Sequence, residues 1–274
     1  MQTTTSSFGN AVVSISQVRV PNLGRVDPKA FFHKATEGIN TGRTDDFTKR
    51  FIDFAAKFAT TESDKMLGAY HVFIGGKISK KQERTPVLQA QHFLDTLTVV
   101  REKNPSYWQN RPIALAVFLA TSTPLGCRIT LKDLCDFIEI IQKRSAGVFP
   151  ILYGNNTDFE MLTGMTPDKS QMDILSKCFL WIAHPGADRP TFPLSIWSEY
   201  TLWESAVKQA VPGICGDVSV VQTKFKDEHD LCQFWNRYKP TKLESAQAPS
   251  FFGLGPSLIQ AQNALLDHFS SFTR

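Results

Sequence analysis

Long blocks of one charge are absent from the sequence, which limits the partners that it can be expected to bind. No run of Lys or Arg exceeds two residues, and the net charge is only +4 in 274 residues. A nucleic-acid-binding domain usually shows a dense basic patch, and a membrane-surface protein a basic amphipathic stretch. We therefore expect neither a nucleic acid nor a membrane as the partner.

Long hydrophobic runs are also absent. The uncharged run Pro112–Cys127 is too short and too rich in Thr, Ser and Pro to span a bilayer. The residues before Arg19 contain no basic region followed by an apolar one, so they are not a secretory signal. We expect a chain that is made in the cytosol and is then carried in a virion or exported without a Sec signal.

The sequence lacks paired cysteines and the ligand spacings of metal sites. Its five cysteines are widely spaced without a Cys-x-x-Cys pair, and its six histidines form no His-Glu-x-x-His motif. This pattern indicates reduced thiols, and neither a metal nor a cofactor is expected. Cys135 and Cys232 fall within amphipathic patterns and are interpreted as core thiols rather than nucleophiles.

What the sequence does contain is an alternation of short apolar runs with longer amphipathic stretches. Apolar residues make up 42% and charged residues 20%, which is typical of a globular chain. The alternation predicts an α/β fold, an irregular (β/α) TIM-like barrel, for which about 250 residues usually suffice. The predicted strands are Ala11–Ser16, Ala30–Ala35, Met66–Phe73, Ile113–Ala120, Val148–Tyr153, Cys178–Ala183, Tyr200–Glu204 and Asp217–Gln222.

Helical periodicity is clearest in the first half of the chain. Asp45–Phe58 places four phenylalanines on one face, and Val87–Arg101 and Leu131–Lys143 show similar spacing. Thr130 is predicted to cap the last of these helices. The triplet Asp158-Phe159-Glu160 follows the fifth strand and is interpreted as the first turn of a helix, where acids favour the helix dipole.

A change of composition near Asn236 predicts the end of the barrel. Residues 237–256 contain three prolines and two glycines, which predicts a linker. Ser257–Phe272 then places apolar residues on one stripe, as in an amphipathic helix that docks on the barrel or contacts a partner. The predicted organisation is a barrel over residues 1–236, followed by a linker and C-terminal helix over residues 237–274.

Several short motifs in the first half carry a resemblance to a known family. They are Lys34-Ala35-Thr36-Glu37-Gly38, then Gly68-Ala69-Tyr70-His71-Val72-Phe73, then Gln89-Ala90-Gln91-His92-Phe93. This series resembles the family-25 glycoside hydrolases, the muramidase-type lysozymes. Their chains carry a Lys-Ala-Thr-Glu-Gly strand end, a Gly-x-Tyr-His strand and a helix that opens with Gln-Ala-x-x-Phe.

The resemblance continues in the second half with the motifs in the same order. It covers roughly residues 11–236 and implies the modified β/α barrel of that family, in agreement with the strand count. The motifs are Pro150-Ile151-Leu152-Tyr153, Leu180-Trp181-Ile182-Ala183, Trp197 with Leu202-Trp203-Glu204, and Gly213-Ile214-Cys215-Gly216.

The resemblance also implies where catalytic acids would lie. Glycoside hydrolysis needs one carboxyl group to protonate the leaving oxygen and a second to act as nucleophile, stabiliser or base. The family supplies them from an Asp in the first strand, an Asp-x-Glu at the end of the fourth and an Asp in the last. The matching positions here hold Ser14, Ala116, Phe118 and Ser219. No catalytic residue of the family's mechanism is therefore expected.

Other polar and aromatic residues are expected at the C-terminal ends of the strands, the functional face of such barrels. Aromatic rings suit sugar stacking, and His, Glu and Tyr can hydrogen-bond hydroxyl groups. The resemblance implies a ligand groove lined by Glu37, Tyr70, His71, Tyr153, Trp181, His184, Trp203 and Glu204.

Three functions remain open from the sequence. The first is a catalytically inactive lysozyme-like domain, a pseudo-muramidase that binds peptidoglycan, another glycan or a protein partner. The second is an active peptidoglycan hydrolase in which Glu37 and Glu204 form a relocated acid pair. The third is a structural or assembly protein of a phage or secreted-effector system, with the C-terminal helix making the contacts.

Overall fold

A computed structural model describes the parts of the chain that form the barrel. The described residues are 12–15, 28–39, 45–61, 64–75, 84–121, 129–145, 147–209 and 218–239. The chain divides into two compact units, Met1–Pro240 and Thr241–Arg274. The predicted linker beyond residue 239 and the predicted helix Ser257–Phe272 lie outside the described residues.

The described residues form eight strands and seven helices. The strands are β1 (Val12–Ile15), β2 (Ala30–Glu37), β3 (Met66–Phe73), β4 (Ile113–Leu119), β5 (Ile151–Asn155), β6 (Phe179–Ala183), β7 (Leu202–Gln209) and β8 (Val218–Thr223). The helices are α1 (Asp45–Thr60), α2 (Pro86–Lys103), α3 (Pro105–Trp108), α4 (Leu131–Arg144), α5 (Asn156–Gly164), α6 (Lys169–Lys177) and α7 (Glu228–Asn236).

The strands close into a barrel in chain order. Strands β1 to β7 are parallel to their neighbours, whereas β8 is antiparallel to both β7 and β1. The fold is therefore an irregular β/α barrel of mixed α/β class, as the alternating pattern predicted. None of the helices in the described residues is long and apolar enough to cross a membrane.

All eight predicted strands and the three predicted first-half helices are confirmed, with shifts at their ends. β3 has the predicted bounds, while β7 continues five residues beyond the predicted end at Glu204. Two short helices, α3 and α6, were not predicted. α3 is a single turn, and α6 buries only Leu175, so neither presents a repeated apolar face that a pattern could reveal.

Side-chain capping fixes where two of the helices begin. The amide of Asp133 donates to the Thr130 hydroxyl at 3.1 Å, which confirms the predicted cap of α4. At α5, the Asn155 side chain accepts from the Asp158 amide, and the Asp158 carboxylate accepts from the Asn155 amide. Asp158 is therefore part of a capping box, which confirms its interpretation as a first-turn residue.

The barrel lumen is filled by aromatic rings. The Phe32 ring of β2 lies 4.7 Å from the Trp181 ring of β6, and the Tyr70 ring of β3 lies 6.5 Å from it. Neither β2 nor β3 is a neighbour of β6 in the sheet, so these contacts cross the lumen. Phe31, in contrast, points outward to Phe54 and Phe58 of α1.

Helix α7 covers the end of the barrel where the parallel strands begin. The indole N–H of Trp235 donates to the carbonyl of Leu67 at 2.9 Å, and its ring lies 5.1 Å from that of Phe32. Just after α7, the Tyr238 hydroxyl donates to the carbonyl of Phe149 at 3.2 Å. Tyr238 is buried, so the packed structure extends two residues past Asn236.

The lumen leaves no room for a side chain at Gly68. A Cβ atom built there would lie 2.4 Å from two carbons of the Phe32 ring. Phe32 cannot move aside easily, because Trp181 and Trp235 contact its ring. The Phe32 ring therefore explains why the Gly-x-Tyr-His motif of β3 has a glycine at this position.

We expect Gly68→Ala to lower the free energy of unfolding by about 1–3 kcal/mol, because it overpacks the lumen. Urea denaturation measures this change. Gly164→Ala is the matched control, since a Cβ atom there meets nothing within 4 Å and lies in a helix, where Ala is favoured. Equal stability of the two variants would contradict this account of the lumen.

Candidate functional site

The C-terminal ends of β2 to β7 form the face that the sequence analysis singled out. We call this face the barrel mouth and define it by Glu37, Phe118, Tyr153, His184 and Glu204. Parallel strands of a β/α barrel deliver their ends to one side, where loops can surround a ligand. The geometry of this face decides what chemistry it can support.

Serines lie at two of the four positions where the resemblance implies acids. Ser14 of β1 is paired directly with Ser219 of β8 and with Phe32 of β2. The matched first-strand and last-strand positions are thus true neighbours in the barrel. Ser14 is buried, and neither hydroxyl has the charge that oxocarbenium stabilisation requires.

Apolar side chains occupy the other two positions. Ala116 of β4 is paired with Tyr70 and Ile151 and is fully buried. Phe118, two residues further and so on the same face of the strand, is paired with Tyr153, and the two rings lie 4.8 Å apart. Phe118 is half-buried, which leaves part of its ring open at the mouth. Ala116 and Phe118 thus stand at the two positions where the resemblance implies an Asp-x-Glu pair, and the Phe118 ring packs on Tyr153 of the next strand.

Glu204 is a buried carboxylate held by Tyr153. The Tyr153 hydroxyl donates to Glu204 Oε2 at 2.5 Å, across the lumen from β5 to β7. Burial, followed by the charge of Glu204, raises the pKa of Tyr153 well above its usual range. Tyr153 therefore stays protonated and acts as a permanent donor to this carboxylate.

Glu37 is held by a lysine from its own strand. Its carboxylate forms an ion pair with Lys34, whose ammonium group also lies 3.8 Å from the centre of the Phe47 ring. Residues three apart normally point to opposite faces of a strand. A register shift between Lys34 and Thr36 removes this alternation and brings Lys34 and Glu37 together.

Tyr70 is within electrostatic reach of both glutamates. Burial raises the pKa of Tyr70 above its usual range, and the charges of Glu204 and Glu37 raise it further. Tyr70 is only 6% exposed, so it separates the two carboxylates from the deeper lumen rather than offering a free face. Each glutamate already has a partner of its own, Lys34 or Tyr153.

Trp181 supports the mouth from inside. It is 0% exposed. Its ring is stacked on that of Tyr153 at 4.0 Å and is tilted against that of Phe32 at 4.7 Å. Its indole nitrogen is buried without a hydrogen-bond partner among the described residues. The predicted groove position of Trp181 is corrected, because its side chain is fully buried against other rings of the core.

His71 lies on the opposite face of the sheet from the mouth. The Thr36 hydroxyl lies 2.8 Å from its Nδ1, and its Nε2 lies 3.2 Å from the side-chain oxygen of Gln89. That oxygen also accepts from the amide of Ile74, so Nε2 carries the proton and Nδ1 accepts from Thr36. The ring packs on Phe137 under the helices. The expectation that His71 lines the groove is therefore wrong.

Trp203 is also turned away from the lumen. Strand alternation places it on the opposite face of β7 from Glu204. Its indole N–H donates to the carbonyl of His184 at 3.0 Å, which corrects its predicted groove position to a supporting one. His184 itself is half-buried after β6, and its Nδ1 accepts from the amide of Thr191 at 3.3 Å.

A second buried histidine, His33, escaped the sequence analysis. Its Nδ1 donates to the carbonyl of Lys34 at 2.7 Å, and its Nε2 is buried without a partner among the described residues. Burial lowers the pKa of His33 to about 4 and that of His71 to about 3. The sequence did contain a signal for this residue. His33 lies within an apolar strand, and burial there disfavours the charged form of a histidine.

Two cysteines and the carboxylate of Asp158 are also held in packed surroundings that indicate a structural role. Asp158 is buried and accepts from the Thr121 hydroxyl beyond β4. Cys135 is buried in α4, and burial raises the pKa of its thiol to about 11, which confirms that it is a core thiol. Cys232 is half-buried, and burial likewise raises its pKa. Among the described residues, no three His, Cys, Asp or Glu side chains cluster as metal ligands.

Comparison with solved structures identifies the class of fold. A bacterial lysozyme from Streptomyces coelicolor aligns with a TM-score of 0.58 at 20% identity, over 83% of this chain and 98% of that one. The catalytic domain of the endolysin ply40 from bacteriophage P40 of Listeria monocytogenes gives 0.55 at 14%, over 82% and 97%. A family GH25 lysozyme from Aspergillus fumigatus gives 0.54 at 17%, over 82% and 98%.

These likenesses show that the chain has the fold of the family-25 lysozymes, which confirms the fold that the motifs implied. No protein-family model matches the sequence, and no curated protein matches it either. The fold is thus shared at low identity, and function has to be argued from the mouth itself.

The two buried histidines predict how stability depends on pH. Both are neutral in the folded chain, while the unfolded chain binds protons below pH 6.5. The free energy of unfolding should therefore fall as the pH falls from about 6.5 toward 4, with each histidine contributing up to about 1.4 kcal/mol per pH unit. Urea denaturation at a series of pH values measures this slope.

His33→Leu should reduce that slope by the contribution of one proton. It also removes the hydrogen bond from Nδ1 to the carbonyl of Lys34, which lowers stability at every pH, so the slope rather than the stability at pH 7.5 is the measurement that decides. His229→Gln, at an exposed position on α7, is the matched control and should leave the slope unchanged. A slope that is the same in His33→Leu as in the parent chain would refute the assignment.

Proposed function

We propose that this chain is a lysozyme-fold domain without hydrolase activity that binds a peptidoglycan-type glycan at the barrel mouth. The observation that carries the proposal is that Ala116 and Phe118 occupy the two β4 positions where the resemblance implies an Asp-x-Glu pair, with the Phe118 ring packed on Tyr153. A site built for hydrolysis is thus replaced by a surface built for contact.

The absence of hydrolysis follows from the chemistry of the remaining groups. A hydrolase needs one carboxyl group to donate a proton and another to stabilise or attack the sugar. Glu37 is neutralised by Lys34, and Glu204 accepts from Tyr153. Each carboxylate is thus already engaged by a neighbouring side chain of the barrel.

Binding of a glycan is supported by what the mouth still presents. The partly open ring of Phe118 offers an apolar face of the kind that packs on the C–H face of a sugar ring. Half-buried Glu37 and His184 lie at the ends of β2 and β6 and can hydrogen-bond hydroxyl groups. The solved structures of like fold include a bacterial lysozyme and an endolysin catalytic domain, which makes peptidoglycan the first glycan to test.

A protein partner and a relocated acid pair are the competing functions. The charges of Glu37 and Glu204 both raise the pKa of Tyr70, and this is the observation that favours a relocated acid pair. We infer that Lys34 and Tyr153 hold these two glutamates in structural roles.

We expect the full chain to release no more reducing ends from purified peptidoglycan than buffer does. Glu37→Gln and Glu204→Gln should leave this background unchanged, because neither carboxylate takes part in bond cleavage. A reducing-sugar assay at several pH values measures the release. Turnover above buffer that either substitution abolishes would replace this proposal with the relocated acid pair.

Calorimetric titration with a muropeptide oligosaccharide and with chitin tetrasaccharide tests binding. We expect saturable binding of the muropeptide, and Phe118→Ala should weaken it about tenfold, the scale of about 1–1.5 kcal/mol for an aromatic contact. Phe225→Ala is the matched control, because Phe225 is also half-buried but follows β8 at the opposite end of the barrel. If neither glycan binds, or both variants lose affinity equally, the proposed site is wrong.

A further inference from the structure

Glu204 is a buried carboxylate that lacks a cationic partner. It is only 5% exposed, and none of the ion pairs formed by the described residues includes it. Its hydrogen-bond donor is the Tyr153 hydroxyl at 2.5 Å, which fixes the position of the carboxylate but carries no charge. Carboxylates are rarely buried without a cation beside them, so this one calls for an explanation.

One oxygen of this carboxylate is still open to a ligand. Oε2 of Glu204 accepts from Tyr153, whereas Oε1 accepts no hydrogen bond in the described part of the chain and retains accessible surface. The Tyr70 hydroxyl likewise makes no hydrogen bond there and is not fully enclosed, although Tyr70 is only 6% exposed. Because Trp181 fills the lumen below, these open atoms belong to the barrel mouth.

Negative charge is in excess around Glu204. The charges of Glu204 and Asp158 both raise the pKa of Tyr153, and neither carboxylate is in an ion pair among the described residues. Glu37 is balanced by Lys34. The excess is local, because the whole chain has a net charge of +4. A cation that prefers this face would therefore respond to its own groups and not to the overall charge.

The surroundings of Glu204 suit an organic ammonium group better than a metal ion. No three His, Cys, Asp or Glu side chains cluster as metal ligands in the part of the chain that the structure describes. The neighbours of the carboxylate are aromatic instead. The Tyr153 ring lies 6.0 Å from that of Tyr70 and 4.8 Å from that of Phe118. Aromatic faces attract ammonium groups, and a carboxylate accepts strong hydrogen bonds from them.

We propose that the barrel mouth selects glycans with a free amino group, the de-N-acetylated amino sugars, over their N-acetylated forms. This inference rests on the proposed function, in which Phe118 packs on a sugar ring. Phe118 and Glu204 both contact Tyr153, so one sugar unit can reach both. Its ammonium group would donate to Oε1 of Glu204, and the Tyr70 hydroxyl can accept from the same group. An acetamido group is neutral and would leave the carboxylate without a cation.

Calorimetric titration of the full chain with chitosan tetrasaccharide (fully de-N-acetylated) and with chitin tetrasaccharide tests the proposal. The two ligands share one sugar backbone, and at about pH 6 only the first carries protonated amines. We expect chitosan tetrasaccharide to bind at least about tenfold more tightly, the scale of one hydrogen bond to a charged group. Tetralysine, which is cationic but contains no sugar, should not bind.

The variant Glu204→Gln removes the charge but keeps an oxygen that can accept from Tyr153. It should reduce the ratio of the two affinities from about ten to about two or less. Glu199→Gln is the matched control, since it removes a charge from an exposed glutamate that pairs with Lys224 at the opposite end of the barrel. This control should leave both affinities unchanged.

The outcomes separate this inference from the proposed function. If chitin tetrasaccharide binds as tightly as chitosan tetrasaccharide, glycan binding stands and the selection for an amino group is wrong. An unchanged affinity ratio in Glu204→Gln, or binding of tetralysine as tight as that of chitosan tetrasaccharide, would overturn the selection as well. If neither glycan binds, both proposals fail.

Discussion

Packing of aromatic rings against one another across the lumen is the interaction on which the rest of this barrel depends. Trp181 lies between Phe32 and Tyr153, and Phe32 in turn rests on Trp235 of α7. These four rings connect the mouth to the opposite end of the barrel through one column. The lack of a side chain at Gly68 is the condition for the Phe32 ring to fit. Each strand register is thereby fixed by contacts that reach beyond its sheet neighbours.

The same column explains the chemistry at the mouth. Because Tyr153 is held on Trp181, its hydroxyl reaches Glu204 and keeps that carboxylate occupied. Phe118 then packs on the other side of Tyr153, at a position where a charged side chain would lie against aromatic rings. A carboxylate placed at Phe118 would lie against the Tyr153 ring, a surface that does not suit a charge.

The element pattern could be predicted from the sequence because each strand is a compact apolar run and each long helix has an apolar stripe. The face of the sheet to which each side chain points could not be predicted in this way. Strands covered on both faces are apolar throughout, so Tyr70 and His71 look equally buried in the sequence. Only contacts with other elements show that Tyr70 points into the lumen and His71 toward α2 and α4.

The ion pair at the mouth illustrates a further limit. Alternation alone places Lys34 and Glu37 on opposite faces of β2, and nothing in the five-residue motif signals the register shift that unites them. The positions where the resemblance implies acids were easier to assign from the sequence, because the assignment depends on which residue stands there and not on where its side chain points. The pairing of Ser14 with Ser219 agrees with the positions that the motifs had assigned.

The antiparallel last strand has a consequence for how the chain can fold. β1 has only four residues, and it pairs with β8, some 200 positions later in the sequence. Until Val218–Thr223 has been synthesised, β1 and β7 both present unpaired edges, and such edges invite pairing with other chains. Contacts of this range are slow to form, because a long loop must be closed before they contribute. The barrel can therefore close only after β8 has left the ribosome.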